Sequence, residues 1–233
     1  MRLFAGTSGF SYRAWQGSFY PERIAAKDML SHYAQRLPTV EINNTFYRLP
    51  KPEVVRGWRA QVPDGFRFAV KAPQRITHRK RLRDCADELA YFAQMLEGFD
   101  GTVGAVLFQL PPFARRETAQ LREFVSHLPS GMRAAFEFRH PSWLEPEVYA
   151  ALAAGNCALV LSETDESSPP VEWTADWAYL RLRKTSYSDA ELETWHARLA
   201  AAPVDEAFVY FKHEDEGVGP KLAAAFLELD RRG

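Results

Sequence analysis

The chain has 233 residues, 46% of them hydrophobic, and its 29 basic and 30 acidic side chains leave a formal net charge of −1. That length suits one large core, and the charge balance gives no global pull toward nucleic acid or a membrane surface. The two cysteines, Cys85 and Cys157, fit neither a disulfide framework nor a metal spacing, and no stretch approaches the roughly 20 apolar residues of a membrane span. MRLFAGTSGF lacks an apolar run of signal-peptide length, so the expectation is a cytoplasmic chain with reduced thiols, folded as one domain over 1–233.

Taken in chain order, short apolar runs at Leu3–Thr7, Thr39–Asn43, Arg67–Ala72, Val103–Leu110, Arg133–Arg139, Cys157–Glu163, Trp177–Arg183 and Glu206–His213 read as buried parallel strands. Helical stripes fall between and after them. Leu89, Phe92, Ala93 and Leu96 follow the third strand, and Leu121, Phe124, Val125 and Leu128 the fourth. Leu192, Trp195 and Leu199 follow the seventh, and Leu222, Ala225, Phe226 and Leu229 the eighth. Each stripe has the 3.6-residue period of a helix with one buried face. The stretch TDESSPPVEW after the sixth strand carries no such stripe and reads as a loop. Strand and helix alternating about eight times has one common closed solution, the (β/α)₈ TIM barrel. The open doubly wound sheet is the alternative, but GTSGFSYRAW after the first strand is not the G-x-G-x-x-G of that fold.

Side chains alternate along a strand, so its bulky apolar residues mark the helix-facing side. Val40 and Ile42, Phe68 and Val70, Phe136 and Phe138, and Leu180 and Leu182 then face the helices. Glu41, Asn43, Lys71, Glu137, Arg139, Arg181 and Arg183 are left pointing inward near the C-terminal strand ends, where barrel enzymes keep their active sites. The test gives no direction for strands four, six and eight, so Gln109, Glu163, Lys212 and His213 are placed at the rim without one.

The segments GTSGFSYRAWQGSFYP (6–21), VEINNTFYRLP (40–50), FRFAVKAPQRITH (66–78), LFQLPPF (107–113), FEFRHPSW (136–143) and YFKHE (210–214) resemble the successive signatures of the YecE-like family of uncharacterised TIM-barrel proteins. The resemblance covers nearly the whole chain. It implies the TIM barrel and supplies no activity. Two strand ends depart from the family pattern. Arg181-Leu182-Arg183-Lys184 stands where many members carry Arg-x-His-Gly, and Phe211-Lys212-His213-Glu214 stands where many carry an Asn-rich ending.

Three assignments at the rim follow from residue chemistry. Glu41 or Glu137 would act as a general base if burial raised its pKa toward neutrality, and Lys71 would neutralise an oxyanion or form a Schiff base. Asn43, Tyr47, His78, Gln109, Arg139, His140, Arg181, Arg183 and Lys212 would bind the ligand, with arginine forks suited to carboxylate or phosphate. The aromatic residues Phe10, Tyr12, Trp15, Phe19, Tyr20, Phe46 and Tyr47 would either stack on a sugar or base or pack as a lid. Gly217-Val218-Gly219-Pro220 opens the last helix and offers N–H donors to a phosphate, although acidic residues precede it. His78, His140 and His213 with Glu41, Glu137 or Glu163 would be the rim's metal ligands, but no H-x-H or H-E-x-x-H spacing supports them, and neither a metal nor a cofactor is assigned.

The leading functional expectation is an enzyme using acid–base chemistry on a small anionic or polyhydroxyl, sugar-phosphate-like compound. The alternative is a nucleic-acid binder or metal-dependent nuclease, motivated by the basic run Arg75–Arg83 and the aromatic loops; a non-catalytic ligand-binding barrel is the third reading.

Overall fold

The computed structural model describes residues 1–168, 170–212 and 215–232. Its eight strands are β1 (Arg2–Ser8), β2 (Thr39–Ile42), β3 (Arg67–Lys71), β4 (Val103–Gln109), β5 (Ala134–Glu137), β6 (Ala158–Glu163), β7 (Trp177–Leu182) and β8 (Glu206–Phe211). They pair in parallel in chain order, and β8 closes the barrel on β1 in the register Arg2↔Glu206 to Thr7↔Phe211. Around them run α1 (Met29–Ala34), α2 (Pro52–Arg59), α3 (Ala86–Glu97), α4 (Thr118–Ser126), α5 (Pro146–Ala154), α6 (Asp189–Ala200) and α7 (Val218–Arg232). The expected (β/α)₈ barrel is the fold found. Among the described residues no helix joins β6 to β7, and none is long and apolar enough to cross a membrane.

Pleat alternation sorts the strand residues into two cores. Val40, Ile42, Phe68, Val70, Phe136, Leu180 and Leu182 join helix residues such as Leu89, Phe92, Leu121, Phe124, Trp195 and Phe226 in the outer layer. Phe4, Ala69, Ala105, Leu107, Ala135, Ala158, Val160, Trp177, Tyr179, Phe208 and Tyr210 fill the barrel itself. The same parity settles the undirected strands. Gln109 follows the inward Ala105 and Leu107, and Lys212 follows the inward Phe208 and Tyr210. Glu163 follows Leu159 and Leu161 outward, where it accepts from Trp195 Nε1 at 2.9 Å and lies 3.5 Å from Lys184 Nζ. It therefore serves the β6–α6 contact rather than the barrel mouth.

Six strands end earlier than their apolar runs predict, β3, β4 and β7 by one residue each. β2 stops at Ile42 because Asn43 leads into a helical turn, Asn44–Phe46. β5 stops at Glu137 as the chain turns toward the 3₁₀ turn Pro141–Trp143, which His140 caps by accepting from the Ser142 N–H. β8 ends at Phe211, and His213 lies outside the described residues.

The N-terminal end of the barrel is plugged by Phe4 and Phe208, stacked with centroids 5.0 Å apart, and by Trp177 set edge-on to Phe208 at 6.1 Å. Gly104 leaves room for this plug, since a Cβ there would stand 2.7 Å from the Phe208 ring. Phe208 is held on both faces by its neighbours and has nowhere to retreat. Gly104→Val is therefore expected to destabilise the fold by about 1–3 kcal/mol, the usual cost of overpacking a filled core, read as a lowered urea midpoint with an unchanged m-value.

Candidate functional site

Above the aromatic plug the barrel interior turns polar. Glu41, Glu137 and Arg181 are buried, at 0%, 1% and 4% exposure. Arg181 bridges the two carboxylates, with Nη2 2.8 Å from Glu41 Oε1 and Nη1 2.7 Å from Glu137 Oε2. Glu41 also accepts from Ser8 Oγ at 2.8 Å, Asn43 Nδ2 at 2.8 Å and Tyr179 OH at 2.7 Å. Glu137 takes further donors from Arg139 Nε at 3.2 Å and Arg183 Nη2 at 3.3 Å. Strands β1, β2, β5 and β7 thus lock one another through a charged layer that spans the barrel.

Over this layer lies a cavity of about 270 Å³ open to the C-terminal face, lined by Ser8, Tyr12, Asn43, Tyr47, Lys71, Gln109, Arg139, Arg181, Arg183 and Lys212. Five of these ten are cationic, and neither Glu41 nor Glu137 reaches the lining. Lys71 Nζ donates to Gln109 Oε1 at 2.7 Å and sits 4.3 Å over the Phe46 ring. Three buried donor atoms in this wall, Gln109 Nε2, Arg181 Nε and Arg183 Nε, have no hydrogen-bond partner among the described residues.

Charge sets the protonation states. Burial alone would raise both carboxylates, but the Arg181 guanidinium and the converging donors outweigh it. Glu41 lies below its ordinary value, and Glu137 is brought down to about 2. The condition under which either would become a neutral-pH base, a net upward shift, is not met, because Arg181 and the donors gathered on each carboxylate outweigh burial, and the sequence does not show how many gather. Lys71 is lowered as well, but for a lysine this shift disfavours the charged form. Burial first, and then the Arg181 charge, lowers it to about 8 against the opposing pull of Glu41 and Glu137. Burial also lowers Arg183 and His78, helped by neighbouring cations.

The structure gathers most of the sequence-derived site residues and leaves others out. Asn43, Tyr47, Lys71, Gln109, Arg139, Arg181, Arg183 and Lys212 line the cavity, with Glu41 and Glu137 directly beneath. His78 lies on a π-helical turn, Arg75–Arg79, edge-on to Phe46 at 4.8 Å, and is not in the lining. His140 is absent from it too, because its ring caps the 3₁₀ turn that it begins. Ser8 and Tyr179 are not among the sequence-derived site residues, and Tyr12, read there as an aromatic that stacks on a ligand or packs as a lid, reaches the lining. Alternation from the outward Leu3 and Ala5 would have found Ser8, and Tyr179 is two residues before Arg181 on the same face.

Other rim features are absorbed by the fold. Trp15 and Tyr20 are buried, and Tyr12, Trp15, Phe19 and Tyr20 stack on one another as a packed lid over the β1–α1 side. Within the basic run, Arg75 and Lys80 both pair with Glu88, and Arg83 pairs with Glu117. Gly217, at the start of α7, packs against Ser18. Among the described residues no group of three or more His, Cys, Asp or Glu side chains gathers as metal ligands would.

Residues 4–232 match the sequence profile described as "Protein of unknown function DUF72". The chain is 40% identical over 115 residues to the UPF0759 protein YecE of Escherichia coli K12, a stretch covering 49% of this chain and only 42% of that relative. It is 25% identical to the UPF0759 protein YunF of Bacillus subtilis, over 91% of this chain and 90% of that one. The crystal structure of a DUF72 family protein from Thermotoga maritima superposes with a TM-score of 0.87 at 25% identity, covering 99% of this chain and 100% of its own. A second DUF72 structure, from Enterococcus faecalis, superposes at 0.77 with 18% identity over 99% and 98% of the two chains, a likeness of fold alone.

Removing Arg181 tests the buried layer. Arg181→Met strands two buried carboxylates and is expected to cost about 3–5 kcal/mol at neutral pH. In the parent protein the depressed Glu137 contributes stability above its ordinary unfolded pKa and loses it as pH falls toward about 2. In the variant only Ser8, Asn43 and Tyr179 still oppose burial at Glu41, and only Arg139 and Arg183 at Glu137, so both carboxylates rise and protonation relieves part of the penalty. Urea denaturation at pH 5 and pH 8 should show the variant's deficit shrinking in acid. A deficit independent of pH would mean that Arg181 does not keep these carboxylates ionised.

Proposed function

Because this chain belongs to the DUF72 family, whose description names no reaction, we propose from its own geometry that it is an enzyme acting by acid–base chemistry on a small anionic, sugar-phosphate-like compound in the barrel mouth. The observation that carries this reading is the cavity wall, which presents five cations and is backed by buried donors that no described residue satisfies. An anion with several acceptor oxygens matches those cations. Arg139, Arg183 and Lys212 are placed to hold the charged group, while Asn43, Tyr12 and Tyr47 offer polar contacts for hydroxyls. The proton-moving role falls to Lys71, which faces the cavity and whose pKa of about 8 lies near neutrality. Glu41 and Glu137 act one layer down, fixing Arg181 as a preorganised charge.

Inorganic phosphate is the simplest probe. It should raise the melting temperature, and calorimetry should show binding that weakens about tenfold or more in Arg139→Ala and Arg183→Ala, as expected for loss of a charge-assisted contact. Lys71 is charged below about pH 8 and neutral above it, so affinity should fall as pH rises through 8. Lys71→Met should bind more weakly and lack that fall. No phosphate binding, or equal affinity in all variants, would overturn the anion site.

A further inference from the structure

We propose that Lys71 is an amine nucleophile, and that the cavity takes carbonyl compounds carrying a carboxylate or phosphate group, held as an imine on its Nζ. This deepens the anion-site reading and rests on it. The observation behind it is the pairing of Lys71 with Gln109. Lys71 Nζ donates to Gln109 Oε1 at 2.7 Å, so the side-chain amide presents its oxygen to the amine and directs its Nε2 elsewhere. That Nε2 is buried, has no described acceptor, and belongs to a residue that lines the same cavity. The amide that Lys71 holds thus has an unpaired donor at its other end, which a small turn of the side chain would bring to the oxygen of a carbonyl compound bound at Lys71 Nζ, the arrangement that stabilises charge developing on that atom.

The amine is also kept apart from the carboxylates that would hold it as an ammonium. Glu41 and Glu137 are engaged by Arg181, and Lys71 makes no ion pair with any described carboxylate. Its stem leaves the end of β3, and its Nζ stands 4.3 Å over the Phe46 ring, which fixes the position of the nitrogen. The low pKa noted above populates the free base near neutrality, as a nucleophilic lysine needs. Arg139, Arg183 and Lys212 lie on the same wall to take the anionic group. In the step itself, the nitrogen lone pair forms the C–N bond while the C=O π pair moves onto oxygen, which takes up a proton lost from nitrogen. The carbinolamine then forms C=N by expelling that hydroxyl with the second nitrogen proton, as one water.

Reductive trapping tests this. The intact chain is incubated with glyoxylate, glycolaldehyde phosphate or uncharged propionaldehyde plus cyanoborohydride, then mass-analysed and peptide-mapped. The expected result is a single adduct per chain on Lys71 with one or both anionic carbonyls. The faster of the two identifies carboxylate or phosphate as the anchoring group, and propionaldehyde should label Lys71 at least about tenfold more slowly. Saturating inorganic phosphate should protect Lys71, an arm that needs no variant. Lys71→Arg should lose the adduct while its circular dichroism is unchanged. Gln109→Leu should retain Lys71 but trap on the order of 100-fold more slowly, the usual cost of losing an oxyanion donor. Labelling of Lys71 no faster than the exposed Lys27, or a Gln109→Leu rate equal to the parent's, overturns the proposal. If phosphate still raises the melting temperature in that case, the anion site stands without the imine. If it does not, both fall.

Discussion

The Arg181 guanidinium, forked between Glu41 and Glu137 at 2.8 and 2.7 Å, is the interaction on which the upper half of this barrel is built. Taking three charges out of water costs several kcal/mol each, and well-packed apolar side chains would fill the same layer at less cost. The layer holds because every charge has several partners. Glu41 accepts four hydrogen bonds, and Glu137 meets three arginines. Such a layer is weakly stabilising in net terms, so its value lies in position. It holds a cation at the floor of the cavity in one orientation, backed by rigid strands rather than by loops.

Charge is stacked in depth along the barrel axis. The two carboxylates lie buried, and the five cations are spread between their level and the cavity surface. A ligand in the mouth therefore meets the cations first and the carboxylates only through Arg181. The same stacking lowers both kinds of titrating group. Carboxylates surrounded by arginine stay ionised far below neutrality, whereas Lys71, buried beside those arginines, is destabilised as a cation. Groups shifted by burial and specific charge partners in this way are a frequent mark of a functional site.

Much of this arrangement was legible in the sequence, because strand parity needs only a few bulky apolar residues to fix it. Val40 and Ile42 expose the direction of Glu41, and Leu180 and Leu182 that of Arg181. Parity failed where both faces of a strand are apolar. In β6, Leu159 and Leu161 face the helices while Ala158 and Val160 face the barrel, so nothing in the run shows that Glu163 belongs to the outer layer. Protonation was not legible at all. A lone buried glutamate is pushed up and a multiply bonded one down, and the donors on Glu41 come from positions as far away as Tyr179, 138 residues along the chain. Local chemistry also overrode the rim assignment of His140, whose ring is taken by the turn it begins. The run Arg75–Arg83 reads as a basic patch until Glu88 and Glu117, distant in sequence, are seen beside it.

The relation to other DUF72 proteins bears on how the site is to be understood. At 25% identity the Thermotoga maritima structure preserves the barrel over essentially the whole chain. A barrel of this kind hosts many chemistries, so the shared fold leaves the reaction to be read from side chains. In this chain the strand-seven end supplies Arg181 and Arg183 from one face of one strand, and strand eight adds Lys212 opposite the lysine of strand three. The added cations have a cost: burial, and then the neighbouring Arg181 and Arg139 guanidinium groups, lower Arg183 against the opposing pull of Glu137. A ligand that relieves such repulsion gains affinity from it, and only an anion does so. The selectivity for negative charge that we propose for the mouth therefore rests on the way the wall is assembled, before any contact to a particular substrate is considered.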